Sequence, residues 1–210
     1  AIKLQTKLLF ICSPNNPSGN TVDRKAIERL LNSFKGLVVI DEAYIDFTKD
    51  ASWTQALSAY PNLIVTQTLS KAYGLAGIRL GICYASKEII AILNKIKPPY
   101  NINTLTQDAA IKTLENKDVV DAQVETILNE RNRLVNAFKS VSFIKKIYPS
   151  EANFILIMVD DANKRYEELI KNGVVVRNRS SQLHCKNCLR ITVGTPSENT
   201  QLITLLNTLV

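Results

Sequence analysis

Short apolar runs that end abruptly in polar residues recur along the first third of the chain. KLLFIC leads into SPNNPSG, GLVVI into DEAY, and NLIVT into QTLSK. Continuous runs of this length, rich in β-branched residues, predict strands buried on both faces of a parallel sheet. Between the first two lies VDRKAIERLLNSF (22–34), whose apolar positions fall at helical spacing. A shorter stretch, about 51–60, separates the next two. The alternation is that of βαβ units. LGICYA (80–85) predicts a further strand and SKEIIAILNKI (86–96) a helix; KPPYN (97–101) then breaks the pattern, because its two prolines stop a helix.

Beyond the break the period changes. Helices are predicted over 103–115 and 118–139, the second with Val120, Val124, Ile127, Leu128, Leu134, Val135 and Phe138 at threes and fours. FIKKIY, NFILIMV, VVVR and CLRITV read as strands. NKRYEELIKNG reads as a helix ending at Gly173, and the last helix opens at TPSENTQLITLLNTLV with Pro196 in its first turn. The fold class is therefore α/β. A larger α/β part is expected up to residue 97, connecting helices over 98–139 and a smaller α+β part over 140–210. No internal repeat is present in the sequence.

Composition narrows the partners more than the fold. Of 210 residues, 46% are hydrophobic, enough for a packed core. The net charge is +7, but the 26 basic residues are scattered, with no basic run or aromatic interleaving that would suit nucleic acid. No apolar run nears the roughly 18 residues of a membrane span, and no secretory signal is visible. A cytoplasmic protein handling small molecules is expected. The first residue is Ala1 rather than methionine, so the chain is expected to begin mid-sequence or after processing.

The four cysteines leave one question open. Cys12 and Cys83 lie in apolar runs and are expected to be buried core thiols. HCKNC (184–188) reads either as half of a zinc site or as a reduced surface turn. No second ligand pair stands at suitable spacing, so no metal is expected. His184 is the only histidine, which excludes any chemistry needing two.

Ligands of open α/β sheets bind beyond the carboxyl ends of the strands. Three predicted strands deliver an amide (Asn16), an acid (Asp41) and an amine (Lys71) to that edge. Alone, each reads as a turn residue, a helix cap or a surface lysine. Together, with Lys71 among the small residues of TLSKAYGLAGIRLG and Arg79 close behind, they suit one cofactor, pyridoxal 5'-phosphate. Its aldehyde takes a lysine amine, its ring nitrogen a carboxylate, its ring hydroxyl a hydrogen-bond donor, and its phosphate hydroxyls and a guanidinium.

SPNNPSG, VVIDEAYIDF and TLSKAYGLAGIRLG, in that order, resemble the signature segments of fold-type I aminotransferases. IDEAYIDF, KPPYNINTLTQ and HCKNCLRITVGTPSEN are similar to the histidinol-phosphate aminotransferase branch. The resemblance implies a mostly parallel large domain and a smaller α+β domain. It implies that Lys71 is the Schiff-base lysine and proton carrier, and that Asp41 pairs with the pyridine nitrogen. Asn16 and Tyr44 would bond the ring hydroxyl; Ser70, Arg79 and Thr68 would hold the phosphate. Arg190 would grip the anionic end of the substrate, and Arg177 would join it at a substrate phosphate. The implied substrates are L-histidinol phosphate and 2-oxoglutarate, giving imidazole-acetol phosphate and L-glutamate in histidine biosynthesis. Aromatic amino-acid aminotransferases and threonine-phosphate decarboxylases share the motifs. A non-catalytic cofactor-binding module and an inactive fragment are the readings from other classes. A homodimer is implied, and a separate amino-terminal fragment is expected to supply the phosphate-cradling loop, ring-stacking aromatic residue and cross-dimer tyrosine that relatives carry upstream of LLFIC.

Overall fold

The computed structural model describes residues 5–209. The chain divides into two compact units, one holding the residues up to Asn15 with Thr21–Asp121, the other Asn16–Asn20 with the residues from Ala122 onward.

The first unit is built on a four-stranded sheet in the order β1-β2-β3-β4. Its strands are β1 (Leu8–Cys12), β2 (Leu37–Asp41), β3 (Leu63–Thr68) and β4 (Gly81–Ala85). The first three are parallel, as their apolar runs predict; β4 returns antiparallel to β3. Helix α1 (Arg24–Ser33) crosses between β1 and β2. Asp23 caps it by accepting from the Ala26 amide at 2.8 Å. Its buried stripe, Ile27 and Leu31, packs on Val38, Ile40, Leu63, Val65 and Trp53. Each such side chain contributes about 2 kcal/mol by leaving water. The stretch around 51–60 forms only a short 3₁₀ turn, Trp53–Ala56.

Helices α2 (Lys87–Ile96) and α3 (Thr104–Glu115) follow, then α4 (Lys117–Phe138), within which the two units divide. In α2 the apolar spacing buries no residue, and Ile92 and Ile96 are exposed.

The second unit carries an antiparallel sheet in the order β5-β6-β8-β7: β5 (Ile144–Ile147), β6 (Phe154–Val159), β7 (Arg177–Asn178) and β8 (Cys188–Thr192). Helices α5 (Ala162–Lys171) and α6 (Pro196–Thr208) complete it. One sheet face forms the main core, where Ile155, Ile157, Leu189 and Ile191 meet Leu134 and Phe138 of α4, Leu169 of α5 and Leu202 and Leu206 of α6. Thr195 and Glu198 close a capping box at the start of α6, with Pro196 just inside it. After α5 the chain turns at Gly173, whose φ of +78° favours glycine. The expected strand VVVR pairs only from Arg177, because Val174–Val176 find no ladder.

The cysteines depart from expectation. Cys12 is half-buried and Cys83 exposed, since β1 and β4 are edge strands. Cys185 and Cys188 are buried instead, packed with Leu156 beside Tyr148 and Met158, so HCKNC is not a surface turn of exposed thiols. Among the described residues no group of three or more His, Cys, Asp or Glu could hold a metal, and no helix is long and apolar enough to cross a membrane.

Arg165 is a buried charge of this unit that is paired with two carboxylates. It is 5% exposed, donates Nε and Nη2 to Asp160 at 3.0 and 2.8 Å and Nη1 to Glu168 at 2.9 Å, and lies 4.1 Å from the Phe143 ring centre. This fork holds the Asp160 carboxyl at about 2, below its ordinary value of 3.8. A lowered folded-state value means stability is present above pH 3.8 and is lost as pH falls through about 2. Asp160→Asn should therefore flatten the acid limb of a denaturation-versus-pH profile in that window. An unchanged limb would show that the pair does not carry it.

Candidate active site

The carboxyl ends of β2 and β3 lie side by side. Asp41 closes β2 and pairs across the sheet with Cys12 on one side and Thr66 on the other. Its Oδ1 accepts from the Ala43 amide at 3.1 Å, which fixes the carboxylate as the chain leaves the strand. Three residues on, Tyr44 is buried, and the Lys71 Nζ lies 5.7 Å from its ring centre.

β3 runs two residues further than its apolar run, to Thr68, and then turns. Thr68 Oγ1 donates to Ser70 Oγ at 2.9 Å and accepts from the Ser70 amide at 3.1 Å, so two hydroxyls stand together beside Lys71. Lys71 opens a tight turn closed by the Gly74 amide on the Lys71 carbonyl at 3.1 Å. Gly74 has φ +67°, a conformation a β-carbon would strain. Buried Leu69 and Ala72 anchor the turn on either side, while Lys71 itself is exposed. The small residues thus allow a tight turn that leaves the amine exposed.

Arg79 sits in the left-handed region at φ +57°. A non-glycine residue there carries strain, and such outliers gather at functional sites. Its Nη1 donates to the Ala76 carbonyl at 3.0 Å, and the side chain is otherwise exposed. Within the first unit the structure therefore places Asp41 and Thr68 at the ends of β2 and β3, and Tyr44, Ser70, Lys71 and Arg79 on the segments that follow those strands.

The remaining expected residues belong to the second unit. Asn16 Oδ1 accepts from Arg190 Nη1 at 2.8 Å. The Arg190 guanidinium lies 5.0 Å from the Phe154 ring centre, a cation–π contact that supports it from below. Arg177 stands directly opposite Arg190 in the β7–β8 ladder. Directly opposite residues project to the same face, so the two arginines are neighbours.

The sequence reading passed over Glu42. This carboxylate is 1% exposed and is held by the Trp53 amide at 2.6 Å, the Ser52 hydroxyl at 2.7 Å and the Gln67 side-chain amide at 2.8 Å. It ties the residue after Asp41 to the residue before Thr68. The available signal was an acid directly after a strand end, masked by its neighbour Asp41. Glu42→Ala should cost roughly 3 kcal/mol in urea denaturation, because several buried donors lose their acceptor. A loss below about 1 kcal/mol would mean water replaces the carboxylate without penalty.

The profile of the family described as aminotransferase class I and II matches residues 1–206. A histidinol-phosphate aminotransferase of Flavobacterium psychrophilum is 60% identical over 208 residues, which are 99% of this chain and 60% of that protein. The chain thus spans about three fifths of that relative's length. Among solved structures, the histidinol-phosphate aminotransferase from Clostridium acetobutylicum aligns with a TM-score of 0.91 and 27% identity, covering 96% of this chain and 63% of that one. The L-threonine-O-3-phosphate decarboxylase from Porphyromonas gingivalis aligns with a TM-score of 0.82 and 25% identity, over 99% of this chain and 66% of that one. The strand-end cluster around Asp41 and Lys71 thus sits in a chain that matches one family along almost its whole length, and the chain belongs to the aminotransferase class I and II family.

Proposed function

We propose that the protein transfers the amino group of L-histidinol phosphate to 2-oxoglutarate, giving imidazole-acetol phosphate and L-glutamate, with pyridoxal 5'-phosphate as cofactor. The observation that carries the reading is the exposed Lys71 amine on the tight turn after β3, the strand that lies beside the end of β2 at Asp41. The 60% identity to a histidinol-phosphate aminotransferase supports the choice of substrate.

The donor set suits the cofactor. Lys71 offers an accessible amine for an aldehyde, Asp41 a carboxylate for a ring nitrogen, and Tyr44 a phenol for a ring hydroxyl. Thr68 and Ser70 offer paired hydroxyls, and Arg79, on a left-handed backbone, an exposed guanidinium, for a phosphate. When bound, pyridoxal phosphate supplies a carbonyl that exchanges amines and a ring that accepts electrons from the substrate carbon. Lys71 Nζ then serves as the group that takes a proton from one carbon and returns it to another. Asp41 keeps the ring nitrogen protonated, since a nearby carboxylate favours the charged form. Arg79 fixes the phosphate through charge and its planar fork. Asn16 Oδ1 positions Arg190, and its amide N–H would be the donor offered to a ring hydroxyl. Arg190 and Arg177 bind the anionic groups of the substrates.

A competition between histidinol phosphate, histidinol and phenylalanine as amino donors to the intact protein tests this reading. Histidinol phosphate should be preferred over histidinol by roughly a hundredfold in kcat/KM, because arginines left without their anion pay for desolvation. Equal efficiency would refute a phosphate-reading site. Phenylalanine as best donor would point to aromatic transamination, and carbon dioxide release from threonine phosphate to the decarboxylase.

A further inference from the structure

Among the described residues, Arg179 Nε and Ser180 Oγ are buried side-chain atoms without a hydrogen-bond partner. They are adjacent in sequence, and both can donate. Their place in the sheet shows what surrounds them. In the β7–β8 ladder Arg177 pairs with Arg190 and Asn178 with Leu189. The ladder continues by one further step, the Arg179 amide donating to the Cys188 carbonyl at 2.9 Å. Side chains alternate along a strand, so Arg177, Arg179, Cys188 and Arg190 share one face. Leu189 and Ile191 take the opposite face and belong to the main core. The arginine face is therefore the one carrying Leu156, Met158 and Cys188, with Phe154 beneath Arg190.

Three guanidiniums on one sheet face repel one another. Neither Arg177 nor Arg179 has a carboxylate partner among the described residues. A guanidinium cannot give up its proton to relieve the repulsion. Burying a donor without an acceptor on the protein is costly, and in native structures such a group is completed by an ordered water, an ion or a ligand, or serves a functional role. A single carboxylate would neutralise only one of Arg177 and Arg179. A phosphate monoester carries nearly two charges at neutral pH and three oxygens that accept several donors at once.

We propose that Arg179 Nε–H and Ser180 Oγ–H are further binding groups for the phosphate of a phosphorylated amino donor, extending the seat formed by Arg177 and Arg190 and setting the preference for phosphate over carboxylate. This rests on the transaminase reading above and adds the residues that decide between its anions. Nothing in the spacing of VVVRNRSS separates Arg179 from a surface arginine; its buried Nε does.

Two measurements on the holoenzyme, with pyridoxal phosphate saturating, test it. Calorimetric titration with inorganic phosphate should show roughly tenfold weaker binding in Arg179→Gln and a smaller loss, about threefold, in Ser180→Ala. Arg179→Lys should recover only part, because it keeps the charge but not the Nε–H. In steady-state kinetics Arg179→Gln should raise KM for histidinol phosphate roughly tenfold with little change in kcat, and leave histidinol within about twofold. Unchanged phosphate affinity in Arg179→Gln overturns the proposal. So does an equal loss for both donors, which a purely structural arginine would give. If the wild-type enzyme shows no preference for the phosphorylated donor, the substrate assignment falls, and the phosphate titration still decides whether Arg179 belongs to an anion seat.

Discussion

Lys71→Ala should lower turnover by roughly 10⁴-fold or more, since it removes both the amine that bonds the cofactor and the group that moves the proton. The fold should be almost unaffected. Lys71 is exposed, and its Nζ lies 5.7 Å from the centre of the Tyr44 ring, a loose contact. Surface substitutions of this kind change stability by about 0.5 kcal/mol or less. The backbone turn also survives, because the Gly74 amide bonds the carbonyl of residue 71 rather than its side chain. Rate and urea midpoint measured on the same preparation separate the two effects. Added methylamine should restore part of the proton-transfer rate. A variant keeping more than about 1% of wild-type turnover would place the essential amine elsewhere.

Asp41→Asn should cost turnover roughly 10³-fold, or about 4 kcal/mol of transition-state stabilisation. The substitution isolates charge from shape. Asparagine keeps an Oδ1 that can still accept from the Ala43 amide at the end of β2. It loses the negative charge that holds a proton on the ring nitrogen. The loss should therefore appear in kcat, with substrate KM changed little and the unfolding midpoint preserved. Near-wild-type kcat in Asp41→Asn would show that the ring nitrogen is not its partner.

How far the chain discloses itself depends on what a local pattern can encode. The β2 and β3 runs predict their burial correctly, since both strands are interior in the sheet. KLLFIC reads the same way, yet forms an edge strand with exposed Leu8 and Phe10, and Cys83 of LGICYA, expected in the core, is exposed on the other edge strand. A run of apolar residues records that a surface is apolar and not what covers it. The same limit explains α2, whose apolar spacing predicts an amphipathic helix and whose described side chains bury none of it. VVVR shows the opposite failure: β propensity is high, but only Arg177 reaches a partner.

The candidate site was legible where chemistry is carried by residue type at a strand end, as with Asp41 and Lys71. It was less legible where long-range contact decides. That Asn16 bonds Arg190, 174 positions away, follows from no local rule. Glu42 and Arg179 look like ordinary surface charges in sequence, and only burial distinguishes them.

The central claim is that Lys71 is the covalent anchor of pyridoxal phosphate, and borohydride reduction of the holoenzyme followed by peptide mapping tests it most directly. A single pyridoxyl group on Lys71, with loss of the visible absorption band on reduction, is the expected result. A pyridoxyl group on any other lysine, or no covalent adduct in an active preparation, would contradict it.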